Sequence, residues 1–588
     1  MKKVKLFSFA LAALMLGACT NEDVIDNGGQ TVLPGEKGYI SLGINLPTTP
    51  SSRAANDKFD DGLPAEYAVD DATLIVLEGA SEGAATVTGV YTLTLPDPTN
   101  VGTSTDNITT SYQLTQKIKK PSANNNLYAL VVLNKGNALA EDTNTYTGKK
   151  LEDFMTTVID ENNSLINSSS HILMTNAPLY TTPGGTTAPN GGVVTLTEIN
   201  PENVFTTSDE AKANPAANVY VERALAKVTV TGNTNNQYEP NGSAKFTSAS
   251  INGWTLDITN KKSYLVRNMK DANWWSYNAS TVTSPESGAA NDYRFVGSVP
   301  VSAGLYRTYW GVDPNYNSYI ANDFNNLNGT TPTSLTSVGE SNAMYCKENT
   351  FNVVNQNQNQ TTRVIVAAQL KFGEGTADET GTFYTFDNNK DVIYNTVSIG
   401  NLVKKYFIEN ESVSNVLKDK LNSGTQDVAS KLEISFDKDA GDVKVKSITF
   451  VDGAGSLFKE GSVPTELEKN GSAYSAALAE INSHVYSCYE NGIAYYPVMI
   501  KHFGDDLTPW SADSKTVSYP DPDAEAKWLG RYGVLRNNWY NIEVTSIKSI
   551  GSADVPDAYG VPDDPVESWI SVKINVLSWA KRSQTADL

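Results

Sequence analysis

Cysteine and histidine are scarce in this chain: three of each in 588 residues. Cys19 stands near the N-terminus, which leaves Cys346 and Cys488, too few for a disulfide scaffold or a zinc cluster. Those two can pair or stay free, and their spacing does not decide. His171, His484 and His502 are too scattered for a spaced metal set. Basic residues are also short, 45 against 66 acids, giving a net charge of −21 and a pI near 4.7. Nucleic-acid phosphates require a basic surface, so that class of partner is excluded. Arginine occurs once before Arg223, at Arg53, and tryptophan does not occur before Trp254. Long helical periodicities are missing, while Asn, Thr, Ser, Tyr and Gly are plentiful. This is the composition of a β-rich extracellular protein, long enough for two or more domains.

What is present begins with an export signal. Lys2, Lys3 and Lys5 precede an apolar run over residues 6–16, and small residues then lead to Cys19. The run is too short to span a bilayer as a mature helix and reads as a signal peptide. Leu16-Gly17-Ala18-Cys19 resembles a bacterial lipobox, in which the cysteine is lipidated and becomes the new N-terminus. Glu22-Asp23 resembles the acidic surface-export signal of Bacteroidetes lipoproteins. Residues 20–38 are polar and carry Gly and Pro, as a tether does.

Two strands carry nearly the same text. Tyr39-Ile40-Ser41-Leu42-Gly43-Ile44-Asn45-Leu46 aligns without a gap to Trp569-Ile570-Ser571-Val572-Lys573-Ile574-Asn575-Val576. Branched aliphatics occupy alternate positions in both, the period of a strand with one buried face. Just after the first copy, Arg53 lies in the small, polar stretch Pro50-Ser51-Ser52-Arg53-Ala54-Ala55-Asn56-Asp57, the kind of exposed segment where proteases cut. Before the second copy, residues 554–565 form a Pro/Asp/Gly-rich linker.

Between them, strands alternate with turns: 73–77, 89–95, 127–133, 193–196, and one long strand over 219–230. A short helix is expected over 151–159, with Leu151, Met155, Val158 and Ile159 on one face. The Asn/Gly-rich stretch after residue 230 places a domain boundary near 240. The second part reads as strands at 245–258 and 362–370, helices at 412–421 and 472–482 (the latter capped by Ser472), and a hairpin. That hairpin joins 485–489 to 493–500 through Glu490-Asn491-Gly492, where Asn-Gly supplies positive φ. The expected division is 1–19 signal peptide, 20–53 propeptide with the first strand, 54–240 N-terminal sandwich, and 241–588 C-terminal sandwich ending in strand 569–579.

Chemistry-bearing patterns are weak. Gly79-Ala80-Ser81-Glu82-Gly83 fits G-x-S-x-G, but a nucleophile elbow needs a following helix, and residues 84–95 read as a strand. Asp521, Asp523, Glu525, Asp563 and Asp564 lack calcium-loop spacing. No cofactor, metal or enzyme activity is expected.

The C-terminal third carries a resemblance. Gly492-Ile493-Ala494-Tyr495-Tyr496-Pro497, Tyr532-Gly533-Val534-Leu535-Arg536-Asn537-Asn538-Trp539-Tyr540-Asn541-Ile542 and residues 546–551 and 572–579 resemble the Bacteroidales fimbrillins, most of all the stalk subunit of the short fimbriae. Val221-Glu222-Arg223-Ala224 and the strand 362–370 fit the same family. The resemblance implies an all-β fold: two transthyretin-like β-sandwich domains, with a few short helices, completed by strand exchange. It implies a surface lipoprotein precursor, lipidated at Cys19 and anchored in the outer membrane, cut between Arg53 and Ala54. The displaced strand would carry Ile40, Leu42, Ile44 and Leu46, and the donor strand Ile570, Val572, Ile574, Val576 and Trp579. Partners would be other copies of the chain, other fimbrial subunits, and host or bacterial surface ligands in adhesion. Four aliphatics at roughly 1.5–3 kcal/mol each give on the order of 6–12 kcal/mol gross, before ordering costs. The alternative reading is a surface lipoprotein adhesin or glycan-binding module that never polymerises, drawn from the tryptophan-rich second part.

Overall fold

The computed structural model describes residues 32–47, 63–95, 99–100, 108–122, 125–160, 165–181, 193–233, 237–240, 245–270, 296–302, 304–327, 329–424, 427–439, 442–502, 529–530, 532–560 and 570–577. The fold is all-β with a few short helices. In the first sandwich the chain lays down β1 (Lys37–Pro47), a single helical turn α1 (Pro64–Tyr67), β2 (Ala72–Gly79) and β3 (Thr86–Leu93). β4 (Ile108–Lys119), β5 (Asn126–Leu133), β6 (Met174–Asn176), helix α2 (Ser208–Ala213) and β7 (Ala217–Arg223) follow. They share one sheet in the order β3-β2-β5-β6-β7-β1-β4, with Thr99–Asn100 beyond β4 and Thr197–Ile199 paired to β5. The sheet rolls until β3 meets β4. Its interior collects the inward residues of every strand, among them Leu74, Val76, Leu114, Val131 and Val219. Alternation along each strand is what makes one face apolar enough to roll inward. Residues 79–83 are the turn of the β2–β3 hairpin, as the strand after them required.

The stretch expected as one strand over 219–230 is two. β7 ends at Arg223, Ala224 and Leu225 intervene, and β8 (Ala226–Thr231) starts in a different sheet. Apolar periodicity reports which face a residue takes, not which sheet it joins, so the break was invisible. The second sandwich continues with β9 (Ser248–Asp257) and β10 (Arg363–Lys371), then β11 (Ile493–Met499), β12 (Trp539–Ile547) and β13 (Ile570–Leu577). One sheet runs Met344–Cys346, β8, β12, β13, and the other Gln237–Tyr238, β9, β10, β11. Val228, Trp254, Val366, Tyr496, Tyr540 and Ile542 are buried between them. Cys346 and Cys488 are both free and buried.

Between β10 and β11 lies an α/β module that the sequence did not announce. Its five antiparallel strands run in the order Asn389–Tyr394, Phe383–Phe386, Tyr486–Tyr489, Asp442–Phe450, Leu432–Asp439. Three helices cover one face: α3 (Thr396–Glu409), α4 (Glu411–Lys420) and α5 (Ser472–Ile481). Asn410 ends α3 and caps α4, accepting from the N–H groups of Ser412 and Val413. The cap of α5 is Gly471, without a side-chain bond, so Ser472 is the first helical residue and not the cap. Val403, Phe407, Val413, Leu417 and Ile481 pack on Val443, Val445 and Ile448. The expected hairpin over 485–500 is therefore wrong. Tyr486–Tyr489 is the central strand of the module sheet and β11 joins β10, with Asn491 (φ 53°) and Gly492 (φ 74°) turning the chain from one to the other. Asn-Gly supplies the same positive φ for a hairpin and for a crossover.

Because the module has its own core, Phe407→Ala is expected to cost about 3–5 kcal/mol locally. Amide exchange should quicken in α3, α4 and α5 while β9, β10 and β11 keep their protection. Equal loss of protection in both would show a single cooperative unit.

Buried ion pairs cluster where the two sandwiches meet, the first of them crossing between the two and the second lying within the second sandwich. Glu222 at the end of β7 meets Arg267 at 2.8 Å, and Glu348 meets Arg536, all four side chains at most 1% exposed. Burial pushes the Glu222 carboxyl up, against the pull of Arg267, Arg536 and Arg307. Glu66 of α1 accepts from Lys227 at 2.8 Å and from the Tyr345 hydroxyl, and its backbone carbonyl accepts from Arg223 Nε. The Lys227 ammonium also lies 3.9 Å from the centre of the Trp539 ring.

Candidate functional site

β1 is an internal strand. On one side it runs parallel to β7, with Leu42 opposite Ala217 and Ile44 opposite Val219. On the other it runs antiparallel to β4 over its whole length, with Leu42 opposite Leu114 and Ile44 opposite Tyr112. Ile40, Leu42, Ile44 and Leu46 point into the rolled sheet and are 0, 1, 0 and 3% exposed. Taking β1 away would leave two unpaired strand edges and four apolar pockets between them. The walls would persist, because β7 and β4 keep their other neighbours, β6 and Thr99–Asn100.

The outward face of β1 is also covered. Ser41 is fully buried, Asn45 is 6% exposed, and α2 lies across β1 and β4. α2 forms because Thr207 caps it by accepting from the Glu210 N–H, with Asp209 and Glu210 in its first turn. Gln113 Nε2 donates to Ser41 Oγ at 3.2 Å and to the Lys212 carbonyl at 2.8 Å. Gly43 lies between Gln113 and Asn218, half-buried, and a Cβ there would press on Asn218 Oδ1. Tyr39 and Phe205 exchange backbone bonds at 2.7 and 2.9 Å, and the Lys117 ammonium is 5.2 Å from the Tyr39 ring centre.

β13, the strand that resembles β1, is at a sheet edge. Among the described residues it pairs only with β12, antiparallel, with Ile542 opposite Ile574, Val544 opposite Val572, Tyr540 opposite Val576 and Ile547 opposite Ile570. The place that matches β1 in the second sandwich is filled by β12, which runs parallel to β8 as β1 does to β7. So β13 has the wording of β1 but, in its own sheet, the position of β4. The sequence brought out the two strands and not their neighbours. Gln113 and Asn218 carry no local signal, being outward polar residues on strands. Cys19, Arg53, Ala54 and Trp579 lie outside the described residues.

What fills this site is a strand of the chain itself, laddered on both sides. The fold thus sets the first described strand inside a rolled sheet and the last described strand on the rim of another. Residues 487–585 match the family described as major fimbrial subunit protein type IV, fimbrillin, C-terminal. This region of the chain, about a sixth of its length, is similar to a fimbrillin C-terminal region. No curated protein matches it. Among solved structures, the chain is similar to a candidate cell adhesion protein of Parabacteroides distasonis at 9% identity, over 94% of this chain and 99% of that one, with a TM-score of 0.33. It is also similar to the C-terminally truncated tip fimbrial protein Mfa3 of Porphyromonas gingivalis at 10% identity, over 92% and 99%, with a TM-score of 0.30. With TM-scores this low, the likenesses carry no weight in assigning fold or function.

Proposed function

We propose that this chain is a fimbrial subunit, a structural stalk protein that polymerises by strand exchange at the cell surface. The precursor is held to the outer membrane by lipid on Cys19 and plugs its own groove with β1. A protease cuts between Arg53 and Ala54, β1 leaves with the propeptide, and the C-terminal strand of a neighbouring copy takes its place. The observation that carries this reading is the difference in neighbours. β1 fills a groove with a ladder on each side, while β13 has one ladder at an edge. A strand that leaves β12 for the groove between β7 and β4 exchanges one partner for two and places its alternate aliphatics in ready pockets. Donation from the C-terminal end of one copy to the N-terminal groove of the next is heterologous and does not close, so it yields a filament. The role is mechanical and adhesive rather than catalytic.

Arg53→Ala is expected to leave the chain as an uncut, lipid-anchored monomer. The native chain, sheared from cells, should begin at Ala54 within a high-molecular-weight ladder. A ladder that persists in the Arg53→Ala strain, or an N-terminus upstream of β1 in the assembled material, would overturn the proposal.

A further inference from the structure

Resting on the strand-exchange reading, we infer that the outward face of the groove, through Gln113 and Asn218, sets the register of the incoming strand from a second copy of this chain. The four inward pockets cannot do this alone. Ile570, Val572, Ile574 and Val576 are alike in size, and a slip of two residues would still place three of them in pockets. The outward positions are not alike.

In the matched register Ser571 takes the place of Ser41, Lys573 that of Gly43 and Asn575 that of Asn45. Ser41 is fully buried and accepts from Gln113 Nε2, so Ser571 keeps that bond. Gly43 is the half-buried position of the three, and only there can a lysine reach water. The atom it would displace is the Oδ1 of Asn218, the far end of an exposed and movable side chain. Slipping by two in one direction drives Lys573 into the place of Ser41, which is 0% exposed. Slipping the other way drives it into the place of Asn45, which is 6% exposed. Either slip puts an ammonium into a buried place that a neutral side chain fills in the precursor. The glycine of the plug and the lysine of the donor thus occupy the one tolerant outward site.

The test uses the full-length chain cleaved at Arg53, with synthetic peptides of residues 566–580 added as competitors, and measures the concentration that halves filament growth. The native peptide should block growth. Its Ser571→Ala form should be about fivefold weaker, the worth of one hydrogen bond. On a Gln113→Ala chain that difference should disappear. A peptide with Ser571 and Lys573 exchanged should be at least about tenfold weaker on either chain. Equal potency of all three peptides on the native chain would overturn the register role and leave strand exchange standing. A native peptide that blocks nothing while the chain still polymerises would remove both readings.

Discussion

Ile574→Asp should yield a subunit that can accept a strand but cannot donate one. In the proposed exchange, Ile574 enters the pocket that Ile44 fills in the precursor, where Ile44 is fully buried. An aspartate there loses roughly 1.5–3 kcal/mol of apolar burial and places a carboxylate among Leu114, Val131 and Val219. Together the two effects weaken donation by on the order of a thousandfold or more. Added at a tenth of the native chain, the variant should cap growing ends and shorten filaments seen by electron microscopy. Ile44→Asp makes the mirror case. It places the same charge in the same pocket, but on the strand that cleavage removes. The precursor should lose about 4 kcal/mol or more and become prone to proteolysis, while any chain that survives to be cut should polymerise normally. If the two variants fail at the same stage, β1 and β13 do not share a pocket and the exchange model falls.

Much of this arrangement was legible from residue patterns, and the reasons bear on what was not. The period of two over residues 40–46 and 570–576 marked both strands, and in β1 the inward residues as well, because burial on one face is a local property of a strand. Pairing is not local. That β1 has β7 on one side in parallel and β4 on the other depends on how the sheet rolls, and neither Ala217 nor Leu114 advertises it. The break at Ala224–Leu225 is hidden for the same reason: both halves alternate without a change of composition. The module between β10 and β11 was read as scattered helices within a sandwich. Its helical stripes at Val413, Leu417, Ala477 and Ile481 are plain enough. Their common target, the strands around Val443 and Val445, lies in separate hairpins of weak pattern. Register-setting residues such as Gln113 are least legible of all, since an outward glutamine on a strand is ordinarily only wet.

The junction carries the last prediction, because a filament under tension needs each subunit to hold its groove and its donor strand in fixed relation. β7 forms one wall of the groove and ends at Glu222 and Arg223, while β12, the strand that leads to β13, starts just after Arg536. Arg267 on Glu222 and Arg223 donating to the Asn537 side chain tie those two points together, and Glu348 neutralises Arg536 beside them. Glu348→Gln removes one charge of a pair that is 0% exposed on both sides. Arg536 keeps its bonds to the carbonyls of Tyr264 and Leu265 and to Ser263 Oγ, but its charge is no longer balanced. The expected loss is about 3–5 kcal/mol, read as a lower midpoint of denaturant unfolding at unchanged slope. Replacing both partners, Glu348→Leu with Arg536→Met, should recover most of it, since the desolvation penalty of two ions disappears with them. The exposed pair Lys135–Glu141, its glutamate 88% exposed, sets the scale: Glu141→Gln should change stability by under about 1 kcal/mol. A Glu348→Gln chain no weaker than Glu141→Gln would mean that the junction is held by packing alone. If the larger loss is found, the same variant should still donate and accept strands normally, yet its filaments should part at lower pulling force than native ones, because exchange uses the groove and tension uses the junction.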